Sequence, residues 1–147
     1  RVVIMTDADV DGAHIAALLI TFFYRYMPTL IDEGRLYMAM PPLFRISQGG
    51  KSMYANDEAH KDLLIDTEFT GRGKIEIGRF KGLGEMMPAQ LKVTTMNPKT
   101  RTLARITIDD DNLPSTEALV ETLMGKRADL RYQYIQEHAQ FVDDIDV

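Results

Sequence analysis

Near the start of the chain stands Asp7-Ala8-Asp9-Val10-Asp11-Gly12, with carboxylates at alternate positions. Alternate side chains of an extended segment project from one side, so Asp7, Asp9 and Asp11 are expected to converge. Carboxylates gathered in this way repel one another unless a cation neutralises them. Hard oxygen donors favour Mg²⁺, which takes one or two carboxylates and completes its shell with water and phosphate oxygens. The spacing also copies the opening of an EF-hand calcium loop, but Leu18 occupies the twelfth position, where a bidentate glutamate is required. A purely structural reading makes Asp11 the cap of a following helix and leaves Asp7 and Asp9 as solvated turn residues. His14, just beyond, could back a metal site or face a phosphate, and an ordinary solvent position is as good a reading.

A second stretch with chemical content is Arg79-Phe80-Lys81-Gly82-Leu83-Gly84-Glu85. Gly82 and Gly84 let the backbone approach a partner closely, and Arg79 and Lys81 carry charge suited to phosphates. The full nucleotide-binding pattern Gly-x-x-x-x-Gly-Lys-Ser/Thr is absent. His60 and His138 have no partner at ligand spacing. The nine methionines read as core filling. Tyr24, Tyr26, Tyr132 and Tyr134 fall within helical patterns as packing or surface residues.

The elements that must position these residues follow from periodicity. Arg1 to Met5 is an apolar run before Thr6-Asp7, read as a strand buried on both faces of a parallel sheet. The acidic run would then lie at the carboxyl end of that sheet, where α/β folds place ligands. The chain opens directly on this strand, and a parallel strand needs neighbours, so further strands are expected upstream. From Ile15 to Ile31 apolar residues recur at helical spacing, with Pro28 kinking or ending the helix and Gly34 stopping it. Arg35 to Met40 alternates as a strand. Leu43–Ser47 and Lys51–Tyr54 flank Gly49-Gly50 as a hairpin. Asn56 or Asp57 caps a short helix through Ile65. Lys74 to Phe80 reads as a strand with Ile75 and Ile77 inward. Pro88 suits the first turn of a helix to about Thr95, and Arg101 to Ile108 is β-branched. Asp109 to Asn112 marks a turn. Ser115 is expected to cap a helix to Met124, and a last helix spans roughly Ala128 to Val142, with Leu130, Tyr134, His138 and Phe141 on one face. No internal repeat is present.

Composition narrows the field. The 147 residues are 45% hydrophobic, enough for a real core rather than disorder. A formal charge of −5 argues against gripping nucleic acid through bulk positive charge, though not against an acidic site that reaches a phosphodiester through a metal. The absence of cysteine removes disulfides, thiolate zinc sites and cysteine nucleophiles within this sequence. No apolar run approaches the ~18 to 20 residues a membrane helix needs, and a soluble cytoplasmic setting is the default expectation.

Taken together, VVIMTDADVDGAHIAALLITFFYR, YMAMPPLFRIS, GRFKGLGEMMPAQLKVTTMNP and the closing DIDV resemble the B subunits of bacterial type IIA DNA topoisomerases across essentially the whole chain. SQGGKSMYANDEAHKDLL and GEMMPAQL bring it nearer to the topoisomerase IV branch than to the gyrase branch. The resemblance implies an α/β fold: a Toprim-type parallel sheet flanked by helices and truncated on its N-terminal side, followed by a mixed α/β and helical tail. On this reading residues 1–110 are the C-terminal part of the Toprim metal-binding domain and residues 111–147 the helical tail. It implies Asp7 and Asp9 as the Mg²⁺-holding Asp-x-Asp, Asp11 as a supporting carboxylate, and Arg79, Lys81, Gly82 and Gly84 near DNA.

It further implies double-stranded DNA as substrate, a topoisomerase A-subunit partner that carries the catalytic tyrosine, an A2B2 heterotetramer, ATP used by an N-terminal region, and a cytoplasmic, nucleoid-associated setting without a membrane. No catalytic residue beyond the metal ligands is expected on this segment, and alone it is expected to be inactive. The Glu-Gly-Asp-Ser-like motif of the family's first Toprim strand does not occur here. Val93 stands where an acidic residue is expected, and Asn97 replaces an aspartate before Pro98. The alternative reading is a Mg²⁺-dependent phosphoesterase or primase-type domain on the same scaffold.

Overall fold

The structure is a computed structural model that describes residues 1–108 and 113–139. Strand β1 (Val2–Ile4) leads through the acidic loop into helix α1 (Val10–Tyr26) and a short helix α2 (Thr29–Asp32). Strand β2 (Leu36–Ala39) then returns parallel to β1, with Val2 opposite Leu36 and Ile4 opposite Met38. A parallel pair requires a crossover of this length, which α1 and α2 supply. Much later, β6 (Leu103–Arg105) pairs antiparallel with the other edge of β2, Met38 facing Ala104. The predicted α/β class holds, with parallel pairing confined to β1 and β2 among the described residues.

The second sheet has the order β4-β3-β5 and is antiparallel throughout. Strands β3 (Phe44–Gln48) and β4 (Lys51–Ala55) form the predicted hairpin. Gly49 and Gly50 have φ of +55° and +90°, the left-handed geometry that a two-residue turn matched to strand twist demands. Asp57 caps helix α3 (Glu58–Glu68) by accepting from the His60 N–H at 2.7 Å. Strand β5 (Glu76–Arg79) lies on the far side of β3. Here the core is Phe44, Ile46, Ala55, Leu64 and Phe69.

Beyond a single 3₁₀ turn at Leu83–Glu85, helix α4 (Pro88–Leu91) has Pro88 in its first turn, as predicted. It widens into a π-helical turn over Lys92–Met96, where the Asn97 N–H reaches back five residues to the Lys92 carbonyl. Helices α5 (Leu113–Met124) and α6 (Ala128–His138) follow. The Arg131 guanidinium donates to the Leu123 and Gly125 carbonyls, closing the end of α5. Arg25 pairs with Glu121 at 2.8 Å, tying α5 to α1.

Several expectations are corrected. β1 is not buried on both faces: Ile4 is covered by α1, but Val3 and Met5 are exposed, because helices cover only one side of this sheet among the described residues. The face of α1 on the sheet runs through Gly12, Ala16, Ile20 and Phe23, while Ile15, Leu18, Phe22 and Tyr26 stand outward. Ile77 faces the same way as its partner Ile46 yet remains exposed, because β5 is an edge strand. Arg101 to Ile108 yields only three paired residues. Ser115 lies inside the first turn of α5 rather than before it. Of the methionines, Met86 is buried, whereas Met5, Met27, Met40, Met87 and Met96 are exposed. Asp109 to Asn112, and the stretch from Gln140 that includes Phe141 and Val142, lie outside the described residues.

Candidate metal centre

The acidic run leaves β1 and bends at Ala8 and Asp9. There the chain turns into α1, and Asp9 rather than Asp11 is the N-cap, its Oδ1 accepting from the Gly12 N–H at 2.7 Å. Asp11 sits in the first helical turn, so the alternation that was to bring three carboxylates to one side does not reach it. Among the described residues no three His, Cys, Asp or Glu side chains are grouped to hold a metal. Asp7 precedes the bend at Ala8 and Asp9, and Asp9 itself has extended φ and ψ. Gly12 makes this junction possible: a Cβ there would lie 2.1 Å from the Asp7 carbonyl oxygen.

The second chemical stretch comes to the first. Leu83 N–H donates to Asp7 Oδ1 at 2.8 Å, across 76 residues of sequence. A Cβ on Gly82 would stand 3.0 Å from Asp7 Cγ and Oδ1, so the bare glycine backbone is what lets the loop settle against the carboxylate. Glu85 holds the loop closed, its Oε2 accepting from the Lys81 N–H at 2.7 Å. Buried Met86 anchors it beside Pro41, Pro42 and Phe80. A cleft of about 360 Å³ opens next to the acidic loop, walled by Asp7, Asp9, Ala13, Met38, Met40 and Pro41.

The remaining predicted residues are placed as follows. Arg79 and Lys81 are exposed, and the Arg79 guanidinium lies 5.8 Å from the Phe44 ring centre. Gly84 faces open space. His14 is exposed on α1. His60 accepts from the Asn56 N–H, and His138 stacks on Tyr134. Sequence reasoning missed Gly12, the Leu83 N–H and the Glu85 carboxylate. The Asp-Gly at the helix start was a usable signal for Gly12. A backbone donor leaves none.

The donor chemistry of Asp7 and Asp9 is compatible with Mg²⁺. Both are hard oxygen donors, both are exposed, and each is steadied at Oδ1 by a backbone N–H. Among the described residues Oδ2 of each has no protein partner, and two carboxylates are as many as Mg²⁺ ordinarily takes.

The family model described as Toprim domain matches residues 1–41, and the one described as DNA gyrase B subunit, carboxyl terminus, matches residues 72–136. The chain is 60% identical over its full length to the DNA topoisomerase 4 B subunit from Bartonella bacilliformis. It is 62% identical to the protein of that name in Caulobacter vibrioides. Along its whole length the chain is similar to topoisomerase B subunits. It covers 21% of each of those two relatives, about a fifth of their length. The DNA gyrase B subunit from Thermotoga maritima is 48% identical over 147 residues, 22% of that relative. The topoisomerase 4 relatives named here therefore stand above this gyrase relative, in line with the SQGG and GEMM segments. The acidic loop lies in the Toprim match and the Gly82-Leu83-Gly84 loop in the other, so the Leu83–Asp7 hydrogen bond joins the two matched regions.

Proposed function

We propose that this segment forms part of the DNA cleavage and religation core of an ATP-dependent type IIA topoisomerase. Its role there is to supply the carboxylates that hold Mg²⁺ beside the scissile phosphate. The observation that carries the reading is the docking of the Lys81–Glu85 loop on Asp7, which sets a glycine-bearing loop that opens on exposed Lys81 against an exposed carboxylate. Asp7 and Asp9 would hold the ion. Arg79 and Lys81 meet the phosphate backbone, positioning the duplex without reading its sequence. The chemistry that Mg²⁺ would supply there is polarisation of a phosphodiester oxygen and offset of the charge developing on it. The attacking tyrosine belongs to the topoisomerase A-subunit partner, ATP to a separate region of the longer protein, and the working assembly is an A2B2 heterotetramer on double-stranded DNA in the cytoplasm. The acidic balance of the chain suits this role, because the carboxylates act on phosphate through a cation. The return of β6 to β2 supports treating residues 1–110 as one unit, with residues 111–147 as the tail. No helix among the described residues is long and apolar enough to cross a membrane.

The test is the yield of covalent DNA cleavage complex against Mg²⁺ concentration, in the complete heterotetramer. Asp7→Ala should abolish Mg²⁺-dependent cleavage while DNA binding persists. A wild-type Mg²⁺ curve for this variant would refute the assignment.

A further inference from the structure

We infer that Gly82 and the Leu83 N–H are positioning groups for the metal: they fix the rotation of the Asp7 carboxylate, so that metal affinity is set by a loop remote in sequence. The inference rests on the metal reading above and goes further, because it assigns a function to a backbone donor and a missing side chain. An exposed aspartate ordinarily samples several rotamers and presents either oxygen. Here Oδ1 is committed to Leu83 N–H at 2.8 Å, which turns Oδ2 to a fixed direction. Gly82 admits the loop to this distance, since a Cβ would already press on Asp7 Cγ and Oδ1 at 3.0 Å. The donor is itself held: the Glu85 carboxylate takes the Lys81 N–H at 2.7 Å, and the Glu85 and Met86 amides bond back to the Gly82 and Leu83 carbonyls. Groups that orient a metal ligand in this way typically govern affinity by about 10- to 100-fold.

The local geometry supplies an unusual substitution. Leu83 is the first residue of its 3₁₀ turn, and Gly82 before it is extended at φ −157° and ψ 171°. A proline is tolerated at a first helical position and demands an extended residue before it. Leu83→Pro therefore deletes the donor while keeping the turn, and its ring Cδ, set where the amide hydrogen pointed at Asp7, also forces the carboxylate off the loop; Leu83→Ala is the reference for loss of the side chain. The measurement is Mn²⁺ titration of the full chain, read by paramagnetic broadening of amide signals around Asp7 and Asp9. Thermal melting without metal is run alongside.

Leu83→Pro should bind Mn²⁺ about tenfold more weakly than Leu83→Ala. Equal affinities would overturn the positioning role. Should Leu83→Pro fail to fold, Gly82→Ala against Gly78→Ala decides. Gly78 has only ordinary contact at 3.9 Å where a Cβ would go, so weaker binding in Gly82→Ala alone supports the inference and equal binding refutes it. Asp7→Asn separates the two readings. If it binds Mn²⁺ like the wild type, the metal assignment itself fails. If it loses binding while the loop variants keep theirs, only the positioning role fails.

Discussion

The two sheets of this molecule are built on opposite plans. The β4-β3-β5 sheet draws its strands and covering helix from one continuous stretch, residues 44–79, and closes over a compact core. The β1-β2-β6 sheet gathers strands from residues 2–4, 36–39 and 103–105, and the helix it carries leaves Ile15, Leu18, Phe22 and Tyr26 exposed. Local order suffices for the first, while the second exists through contacts distant in sequence. The candidate metal site belongs to the second. Its geometry depends on a loop that follows directly from β5 of the first, since Phe80 N–H bonds to the Leu43 carbonyl just before the chain reaches Gly82. The self-contained sheet thus acts as a mount for the part that reaches the acidic pair.

The largest expected effect falls on the mount. Ile46 is fully buried at the centre of β3, so Ile46→Ala should destabilise the chain by about 2 to 5 kcal/mol through lost transfer energy and a residual cavity. Denaturant unfolding checks the magnitude. Under conditions where the variant remains folded, its Mn²⁺ affinity should match the wild type. A loss of metal binding from the folded variant would break the distinction between mount and site.

The next effect falls on the site itself. Gly12→Ala would drive a methyl group to 2.1 Å from the Asp7 carbonyl oxygen, so the start of α1 must shift against β1. Overpacking of this kind costs about 1 to 3 kcal/mol. Metal affinity should fall together with stability, in contrast to Ile46→Ala. The same unfolding and Mn²⁺ titrations compare them. Unchanged affinity in Gly12→Ala would show that the acidic loop tolerates movement at the helix start.

What could be read from sequence divides along the same line. The hairpin was legible because two adjacent glycines encode its turn in place, and the α3 cap was legible down to Asn56 or Asp57, because a cap's acceptor and donor are three residues apart. The long apolar helix and its end before Pro28 were likewise local. The pairing of β6 with β2 was not visible, and the strand predicted over Arg101 to Ile108 was overextended, because β-branched composition does not say how much of a segment finds a partner. Asp7, Asp9 and the Gly82 loop were each singled out by residue type. Their junction was hidden, because it is made by a peptide N–H that every residue but proline carries. Asp11 was misplaced for a related reason: alternation predicts a shared face only while the chain stays extended, and the bend at Ala8 and the cap at Asp9 end that.

The smallest effect sharpens the comparison most. Asp9 and Asp57 do the same local work, each capping a helix through Oδ1 and a backbone N–H three residues on, both at 2.7 Å. Asparagine caps about as well as aspartate, and the charge lost at an exposed helix start is worth about 0.3 to 1 kcal/mol. Asp57→Asn should therefore destabilise by roughly 0.5 kcal/mol with metal chelated. Asp9→Asn should cost still less, because it also relieves the repulsion from Asp7. Added Mg²⁺ then separates the two. A ligand bound only by the folded state raises stability by RT ln(1 + [L]/Kd), about 2.7 kcal/mol at a hundred times Kd. Asp57→Asn should show the same Mg²⁺-dependent rise in unfolding midpoint as the wild type, and Asp9→Asn little or none. Equal rises in both variants would make Asp9 a cap and nothing more, and would leave Asp7 without a partner in holding the ion.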